Sequence, residues 1–510
     1  MLQNILCFLE VDVRKSILHA FYPMQRAQKD RLIQRLIDVL PQTSILASQE
    51  ELKPYECDGL SVYRQVPALV VLPETVAQAQ AVLQLCHAEK VEVVARGAGT
   101  GLSGGAMPLE NAVVLSLAKF NHILNINKAG RTAVVEPGVR NLAISEAVSH
   151  LGLYYAPDPS SQIACTIGGN VAENSGGVHC LKYGLTVHNV LGLKILTMQG
   201  DLIELGGESL DTAGFDLLAL MHGSEGLLGV IVEVTVKLLP RPELAQVVMA
   251  AFDDVEKAGQ AVGDIIAAGI VPAGLEMMDR LAIQAAEAFA HAGYPTDAEA
   301  ILLCEIDGTS ESVSDFITAV EEVLKHAGAT EMKTSASESE RLQLWAGRKA
   351  AFPAVGRLAP DYYCMDGTIP KSALPTVLRQ IALWSEEYGL PVANVFHAGD
   401  GNMHPLILYD ANKPGELQRT EDFGARILEL CVQSGGSITG EHGVGVEKLD
   451  SMCVQFGAKE LQQFFAVKDA FDSERLLNPG KAVPTLHRCA ELGRMHVHNG
   501  ALPHPELERF

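Results

Sequence analysis

The sequence predicts an α+β protein built from more than one folding unit. Three observations carry that expectation. The chain has 510 residues, more than one ordinary domain holds. Its first half alternates short apolar runs, rich in Val and Leu, with stretches of helical periodicity. After Pro240 and Pro242 the pattern shifts to longer strands separated by amphipathic helices, the order of an antiparallel sheet with helices on one face. Hydrophobic residues make up 48% of the chain, enough for a large core.

The elements follow in order. Residues 24–50 read as helix and then loop. "ALVVLP" (68–73) is a buried strand, "TVAQAQAVLQLCHAEK" (75–90) a helix and "VEVVARG" (91–97) a strand. "NAVVLSL" (111–117) and "TAVVEPG" (132–138) are further strands, and "NLAISEAVSHLG" (141–152) is a helix. Short strands crowd residues 190–240. Beyond the prolines come a strand (245–252), helices at 254–268 and 279–292, the strand "AILLCEID" (300–307) and a helix at 311–327. A helix at 371–388 precedes a hairpin near residue 400. Helices at 415–434 and 458–470 lead to "LLNPGKAVP" (476–484).

The bulk chemistry excludes some classes. A net charge of −23 argues against a nucleic-acid or anionic-membrane surface. Ten cysteines are scattered without a CxxC pair. That suits a reducing compartment, and it leaves the chain with no iron–sulfur binding run of its own. Glu10, Asp12, Arg14 and Lys15 interrupt the apolar N-terminus before a secretory core forms. No window approaches 18 uninterrupted apolar residues, so no transmembrane helix is expected. The expectation is a cytoplasmic protein, at most peripheral at the inner face of the cell membrane.

Two glycine-rich segments carry the first functional signal. "VVARGAGTGLSGGA" contains GxGxxG at Gly99, Gly101 and Gly104. A strand precedes it, but loop and strand follow, and no acidic residue stands about 20 positions on. A nicotinamide-binding Rossmann site is therefore disfavoured. A nest of backbone N–H groups for a pyrophosphate fits better; a plain glycine connector is the alternative. "APDPSSQIACTIGGNVAENSGGVHCLKYG" then supplies small residues and short amides that let a flat, polar-edged ligand approach closely. Two such segments fit an extended dinucleotide.

"RGAGTGLSGGA", "PDPSSQIACTIGGNVAENSGG", "HAGDGNMHP", "GEHGVG" and "LLNPGK", in that order, resemble the vanillyl-alcohol-oxidase-type (PCMH-type) flavoproteins. Within them the chain resembles the FAD-linked D-2-hydroxyacid dehydrogenases, and most of all the flavin subunits of bacterial glycolate oxidases. The resemblance runs from about residue 50 to the C-terminus. It implies a PCMH-type FAD-binding domain of two subdomains and an α+β cap domain with an antiparallel sheet. The C-terminal segment would return to the FAD domain. The division implied is an N-terminal helical extension (1–50), the FAD-binding domain (51–242), the cap with substrate and metal sites (243–440), a C-terminal catalytic segment (441–484) and a tail (485–510).

The resemblance also implies FAD and its contacts. The first loop, with Arg96, Gly97, Gly99, Thr100, Gly101, Ser103 and Gly104, would hold the pyrophosphate. Pro157, Asp158, Ser160 and Ser161, with Gly168, Asn170, Asn174 and Gly177, would line the adenine, ribitol and ring regions. Gly184, Glu225, Gly226, Ile231 and Asn478 would complete the site. Covalent-flavin relatives place a His in the first loop. This chain has none there, so the FAD is expected to be non-covalent, and Cys165 is offset from a second attachment point.

The histidine turns carry the second signal. "VANVFHAGDGNMHPLILY" reads as strand, turn, strand. Across a hairpin, His397 and His404 would stand opposite each other on one face. With Glu441 they make a three-ligand divalent-metal site with open positions, for Zn, Mn or Fe; the resemblance supports the same three positions. Histidines merely hydrogen-bonded in a packed turn are the alternative. Asp400 and Asn402 read as turn formers. His442, next to a ligand, suits a general base for a metal-bound hydroxyl. Arg348 lies in an apolar helix and can grip a carboxylate bidentately; the resemblance gives it the substrate's carboxylate. A salt bridge to a local acid is the alternative. Relatives acting on 2-hydroxyglutarate carry a Lys near the position of Cys364, so a small monocarboxylate is expected here.

The expected activity is FAD-dependent oxidation of glycolate to glyoxylate, with D-lactate as a secondary substrate. Electrons would pass to an iron–sulfur subunit, alongside a second flavin-type subunit. A D-2-hydroxyacid dehydrogenase acting without partners is the near alternative. A metallohydrolase using His397, His404 and Glu441 is the distant one, and it leaves both glycine-rich segments unexplained. The tail, with Cys489 and four histidines, reads as a partner-docking segment.

Overall fold

The structure is a computed structural model that describes residue 24 and residues 26–209 and 213–484. The tail 485–510 therefore lies outside the described residues, as do residues 1–23 of the N-terminal extension.

The first sheet is built from short, wholly apolar runs. Leu69–Val71, Val113–Ser116 and Val93–Arg96 pair in parallel, with Ile45–Leu46 antiparallel at the edge. Every residue of Leu69–Val71 and of Val113–Ser116 is buried, as expected for parallel strands covered on both faces. Helix Val76–Glu89 provides part of that cover through Ala79, Val82, Leu83 and Cys86. Its N-terminus is capped by Thr75, whose hydroxyl accepts from Gln78 N at 3.2 Å.

A five-stranded antiparallel sheet follows, in the order Ile123–Asn127, Thr132–Val135, Val230–Lys237, Val190–Leu196, Leu202–Gly206. The first glycine-rich segment follows Val93–Arg96, and the second meets the chain just beyond Thr132–Val135, where Gly168 N donates to Pro137 O at 2.8 Å. The second of these contains helix Ile167–Glu173, which its glycines had hidden.

The large sheet is antiparallel throughout. Its order is Glu331–Thr334, Leu244–Phe252, Ala300–Gly308, Gly274–Asp279, Val392–His397, Asn402–Tyr409, Asp361–Cys364, with Gly367–Thr368 also paired to Asn402–Tyr409. Helices cover both of its faces, which corrects the expectation of one covered face. Val248, Ala250 and Phe252 belong to one apolar cluster with helices Val255–Ala267, Ser310–His326, Leu374–Tyr388 and Glu416–Gln433. The alternating Val247, Met249 and Ala251 pack against helices Arg280–Ala290 and Glu338–Val355. The near-continuous apolar runs of these strands are the physical reason, because a one-sided sheet would need polar alternation.

The last strand of the first half, Leu239–Pro240, ends shortly before the large sheet begins at Leu244. The chain later returns: Leu477 bridges Val93, and Asn478 N donates to Val93 O at 2.8 Å. Among the described residues no helix is long and apolar enough to cross a membrane.

Candidate functional site

The hairpin Val392–His397 and Asn402–Tyr409 sets the histidines. His397 pairs with Asn402, and His404 pairs with Val395. The two histidines are thus diagonal on one face, not directly opposite as the sequence suggested. Diagonal neighbours still meet when the side chains are long, and the ring centroids lie 5.1 Å apart. Glu441 enters between them. Its Oε1 is 3.0 Å from His404 Nε2 and 3.3 Å from His397 Nε2.

Each ring is oriented through its other nitrogen. His397 Nδ1 faces Glu276 Oε1 at 2.8 Å, and His404 Nδ1 faces the Met365 carbonyl at 3.3 Å. Imidazoles that ligate metals are commonly held this way. His397, His404 and Glu441 offer one donor atom each within 4.8 Å of one another, so the donor set fits a divalent ion. Burial alone would raise the Glu441 carboxyl; His397 and His404 more than offset it and hold it well below its usual range.

His442 stacks on His404, with centroids 5.0 Å apart and planes 9° from parallel. Its Nδ1 is buried without a hydrogen-bond partner. Burial pushes its pKa down to about 4. A neutral imidazole with an uncommitted nitrogen can accept a proton.

The "GEHGVG" turn is fixed by a residue the sequence reading missed. The Asp366 carboxylate accepts from His442 N at 2.9 Å, Thr439 Oγ1 at 2.6 Å and Lys448 Nζ at 3.1 Å. Burial opposes its charge, and the neighbouring His442 and Lys448 hold it far below its usual range. From the other side, Glu225 accepts from Val444 N and Gly445 N, both at 2.7 Å. A lone acid after "CM" carries no sequence signal of such a role.

His404, Glu441, His442 and Glu225 open on a cavity of about 470 Å³, while His397 and Asp366 stand behind its lining. Of the residues expected around a flavin, Arg96, Gly97, Gly99, Thr100, Gly101, Ser160, Ser161, Gly168, Asn170, Glu225, Gly226 and Ile231 line it. So do His404, Glu441 and His442. Two of these glycines are set by close packing within the wall: a Cβ at Gly99 would lie 2.2 Å from the Arg96 guanidinium, and one at Gly168 would lie 2.5 Å from Pro137. The cavity thus has glycine-lined walls that suit a large flat ligand and a polar end at the histidines.

The remaining expected residues stand behind the wall. Ser103 Oγ donates to His442 O at 2.9 Å, and Gly104, at φ +78°, packs on Val446. Asn478 Nδ2 donates to Glu225 O at 2.6 Å and to Gly105 O at 3.1 Å. The Pro157 carbonyl accepts from Asn141, whose amide also donates to Asn170. Asp158 holds His179 Nδ1 at 2.8 Å, and Gly177 lies against the Asp158 carbonyl. Asn174 Oδ1 accepts from Val187 N, and Gly184, at φ +80°, turns the chain beside His188.

Arg348 is 1% exposed and is not part of the cavity wall. Its Nε donates to Glu276 Oε2 at 2.8 Å, so the local salt bridge weighed from sequence is present. Its Nη2, although 2.6 Å from the same oxygen, makes no well-directed hydrogen bond. The next residue, Lys349, does line the cavity, with Phe352 and Pro353; sequence reading had not singled it out.

Known proteins share this chain's sequence and fold. Residues 67–206 match the FAD binding domain family, and residues 241–482 match the FAD linked oxidases, C-terminal domain. The chain is 64% identical over 479 residues to the glycolate oxidase subunit GlcD of Escherichia coli (strain K12), covering 94% of this chain and 96% of that one. It is 30% identical over 460 residues to a D-lactate dehydrogenase of Anaerostipes hadrus, covering 88% and 96%. A crystal structure of p-cresol methylhydroxylase shares the fold, with a TM-score of 0.77 at 18% identity over 90% of this chain and 98% of that chain. The metallohydrolase alternative gives an FAD binding domain no purpose and is set aside. The chain belongs to the FAD-linked D-2-hydroxyacid dehydrogenase family, and is an FAD-binding oxidoreductase with the vanillyl-alcohol-oxidase-type fold.

Proposed function

We propose that this chain oxidises a short 2-hydroxy acid, glycolate to glyoxylate, with D-lactate as a secondary substrate. One observation carries the proposal: His404, Glu441 and His442 line one end of the cavity whose walls are the glycine-rich segments, with His397 against Glu441 behind them. The names of the relatives, a glycolate oxidase subunit and a D-lactate dehydrogenase, support the substrate class.

The first loop (96–105) would hold the FAD pyrophosphate on backbone N–H groups. Residues 157–161 and 168–177 would bound the rest of the cofactor, with Glu225, Ile231 and Asn478. When bound, the flavin supplies a two-electron acceptor for the hydride on the substrate's Cα. His397, His404 and Glu441 would hold a divalent ion, Zn, Mn or Fe, which lowers the pKa of a coordinated hydroxyl. His442 takes the hydroxyl proton on its uncommitted ring nitrogen. Arg348, held by Glu276 outside the cavity wall, is assigned the carboxylate on the family resemblance alone. Lys349, which does line the cavity, is the competing cation for that role. With no iron–sulfur run in the chain, electrons leave to an iron–sulfur partner, in an assembly with a second flavin-type subunit at the inner face of the membrane. The five-part division at residues 50, 242, 440 and 484 belongs to the same proposal.

Anaerobic mixing with a panel of D- and L-2-hydroxy acids tests the reading. Glycolate is expected to bleach the flavin absorbance most completely and D-lactate next. Bleaching by neither overturns it.

A further inference from the structure

Two buried carboxyls meet beside Gly443, the residue after His442. A Cβ built on Gly443 would lie 2.1 Å from Glu173 Oε2 and 3.0 Å from Glu225 Oε1. The two oxygens therefore lie within about 5 Å of one another, beside a backbone position that leaves no space for a methyl group. Two ionised carboxylates this close in a buried site repel strongly, and one of them keeps its proton.

Their surroundings decide which one. Glu225 receives two backbone N–H groups, from Val444 and Gly445 at 2.7 Å each, and these stabilise the ionised form. Glu173 Oε2 is buried without any hydrogen-bond partner. Glu173 is also the last residue of helix Ile167–Glu173, where the helix end repels negative charge. The nearby cations are committed elsewhere. Lys448 Nζ holds Asp366 and the Gly443 carbonyl, and Lys481 Nζ holds the Gly105 carbonyl at 2.9 Å and Asn478 Oδ1 at 2.5 Å. Asp58 adds a further negative group. Burial first, and then the Glu225 charge, keep the Glu173 carboxyl well above its usual range.

Glu173 lines the cavity, as do Glu225, Glu441 and His442. A substrate held at His442 can pass a hydride only to a flavin ring at this end. We propose that Glu173 is kept protonated and donates a hydrogen bond to an acceptor atom of the flavin ring, favouring the reduced ring. The ring gains electron density on its acceptor atoms when it takes up two electrons, so a neutral donor there strengthens its hydrogen bond on reduction. The inference uses the proposed function only to place the ring.

The test is the midpoint potential of the bound flavin, titrated anaerobically against a reference dye with an artificial reductant. The holoprotein is compared with Glu173→Gln, which keeps a neutral donor of the same length, and with Glu173→Met, which fills the space without one. FAD content is measured on each. Glu173→Gln is expected to hold the parent potential. Glu173→Met is expected to lower the ratio of reduced to oxidised flavin about tenfold at a fixed poise, ~30 mV for a two-electron couple. A raised potential in Glu173→Gln would mean that an ionised carboxylate had been removed, and it overturns the proposal. Unchanged potentials in both variants overturn it too. Neither readout uses a 2-hydroxy acid, so a failure of the substrate reading is seen separately, in the bleaching panel.

Discussion

Glu276 joins His397 to Arg348. One carboxylate oxygen faces His397 Nδ1 at 2.8 Å, and the other accepts from Arg348 Nε at 2.8 Å. All three side chains are buried. The acid sits in Gly274–Asp279, the strand that pairs with Val392–His397, so the sheet brings Glu276 to His397, and helix Glu338–Val355 supplies Arg348.

Glu276→Gln keeps the shape and removes the charge. Arg348 is then buried without a counter-charge, and His397 loses the partner that fixes its ring. Breaking one side of a buried pair costs about 3–5 kcal/mol. Loss of a partner behind a metal ligand weakens metal affinity roughly 10- to 100-fold. Chemical denaturation and metal analysis after dialysis against buffered metal check both. Parent-level metal content and stability together would remove Glu276 from this role.

That pairing also shows where the sequence was legible. Strands and helices with unbroken apolar periodicity, such as Leu69–Val71, Val76–Glu89 and Ala300–Gly308, were readable because burial dictates their residues. The strand Gly274–Asp279 was not, because "GLEMMD" puts a glycine and two acids into a fully buried run. Those acids are there for partners distant in sequence: Glu276 for His397 and Arg348, and Asp279 for Asn394 and the start of helix Arg280–Ala290. Single-sequence periodicity cannot see such pairs. His397, His404, Glu441 and His442 were visible because glycine-rich turns flanked them. Asp366, a lone acid without such a frame, was not, and Glu173, inside the second glycine-rich segment, was passed over because Glu225 and Gly443 that face it are distant in sequence.

Metal removal separates the two halves of the site. His404 projects from the large sheet, whereas the glycine-rich segments belong to the smaller ones. Exhaustive chelation, or His404→Ala, is expected to abolish flavin reduction by glycolate while the protein keeps its full FAD content. Undiminished reduction after chelation, with metal analysis showing none left, would end the metal assignment.

Acid precipitation is expected to release all the flavin into the supernatant. The first loop offers no histidine for a covalent bond. Cys165 is 4% exposed, and its sulfur accepts from Asn170 Nδ2 at 3.4 Å. Flavin colour retained in the washed pellet would show a covalent link.

Arg348 and Lys349 make separable claims on the substrate carboxylate. Arg348→Lys keeps a charge but loses the planar fork. A hydrogen bond to a charged group contributes about 1.5–3 kcal/mol, so KM for glycolate is expected to rise by about tenfold or more. Lys349→Ala is expected to change KM less than about twofold. Steady-state kinetics on both, with metal content verified, decide it. The reverse pattern would move the carboxylate grip to Lys349.

Glu305 makes a last, pH-dependent claim. It lies in the large sheet but faces His179 Nε2 at 3.1 Å, and His179 Nδ1 faces Asp158 at 2.8 Å. Arg341 Nη1 at 2.7 Å and the Trp345 indole N–H complete its shell. Burial alone would raise the Glu305 carboxyl. His179, Arg341 and Trp345 more than offset it and hold it down at about 2, against an ordinary 4.5. A depressed carboxyl stabilises the fold above its unfolded pKa, and that stability is lost as pH falls through the folded pKa. The window therefore runs from about pH 4.5 down to about pH 2. The shift corresponds to on the order of 3 kcal/mol at neutral pH. Glu305→Gln is expected to be less stable than the parent by a similar amount at pH 6. The gap between them should narrow steadily below pH 4.5, because the parent alone takes up the extra proton there. Urea denaturation of both proteins between pH 6 and pH 3 reads this difference. A gap that stays constant across that range would mean that Glu305 is not the carboxylate binding these two halves of the chain together through its charge.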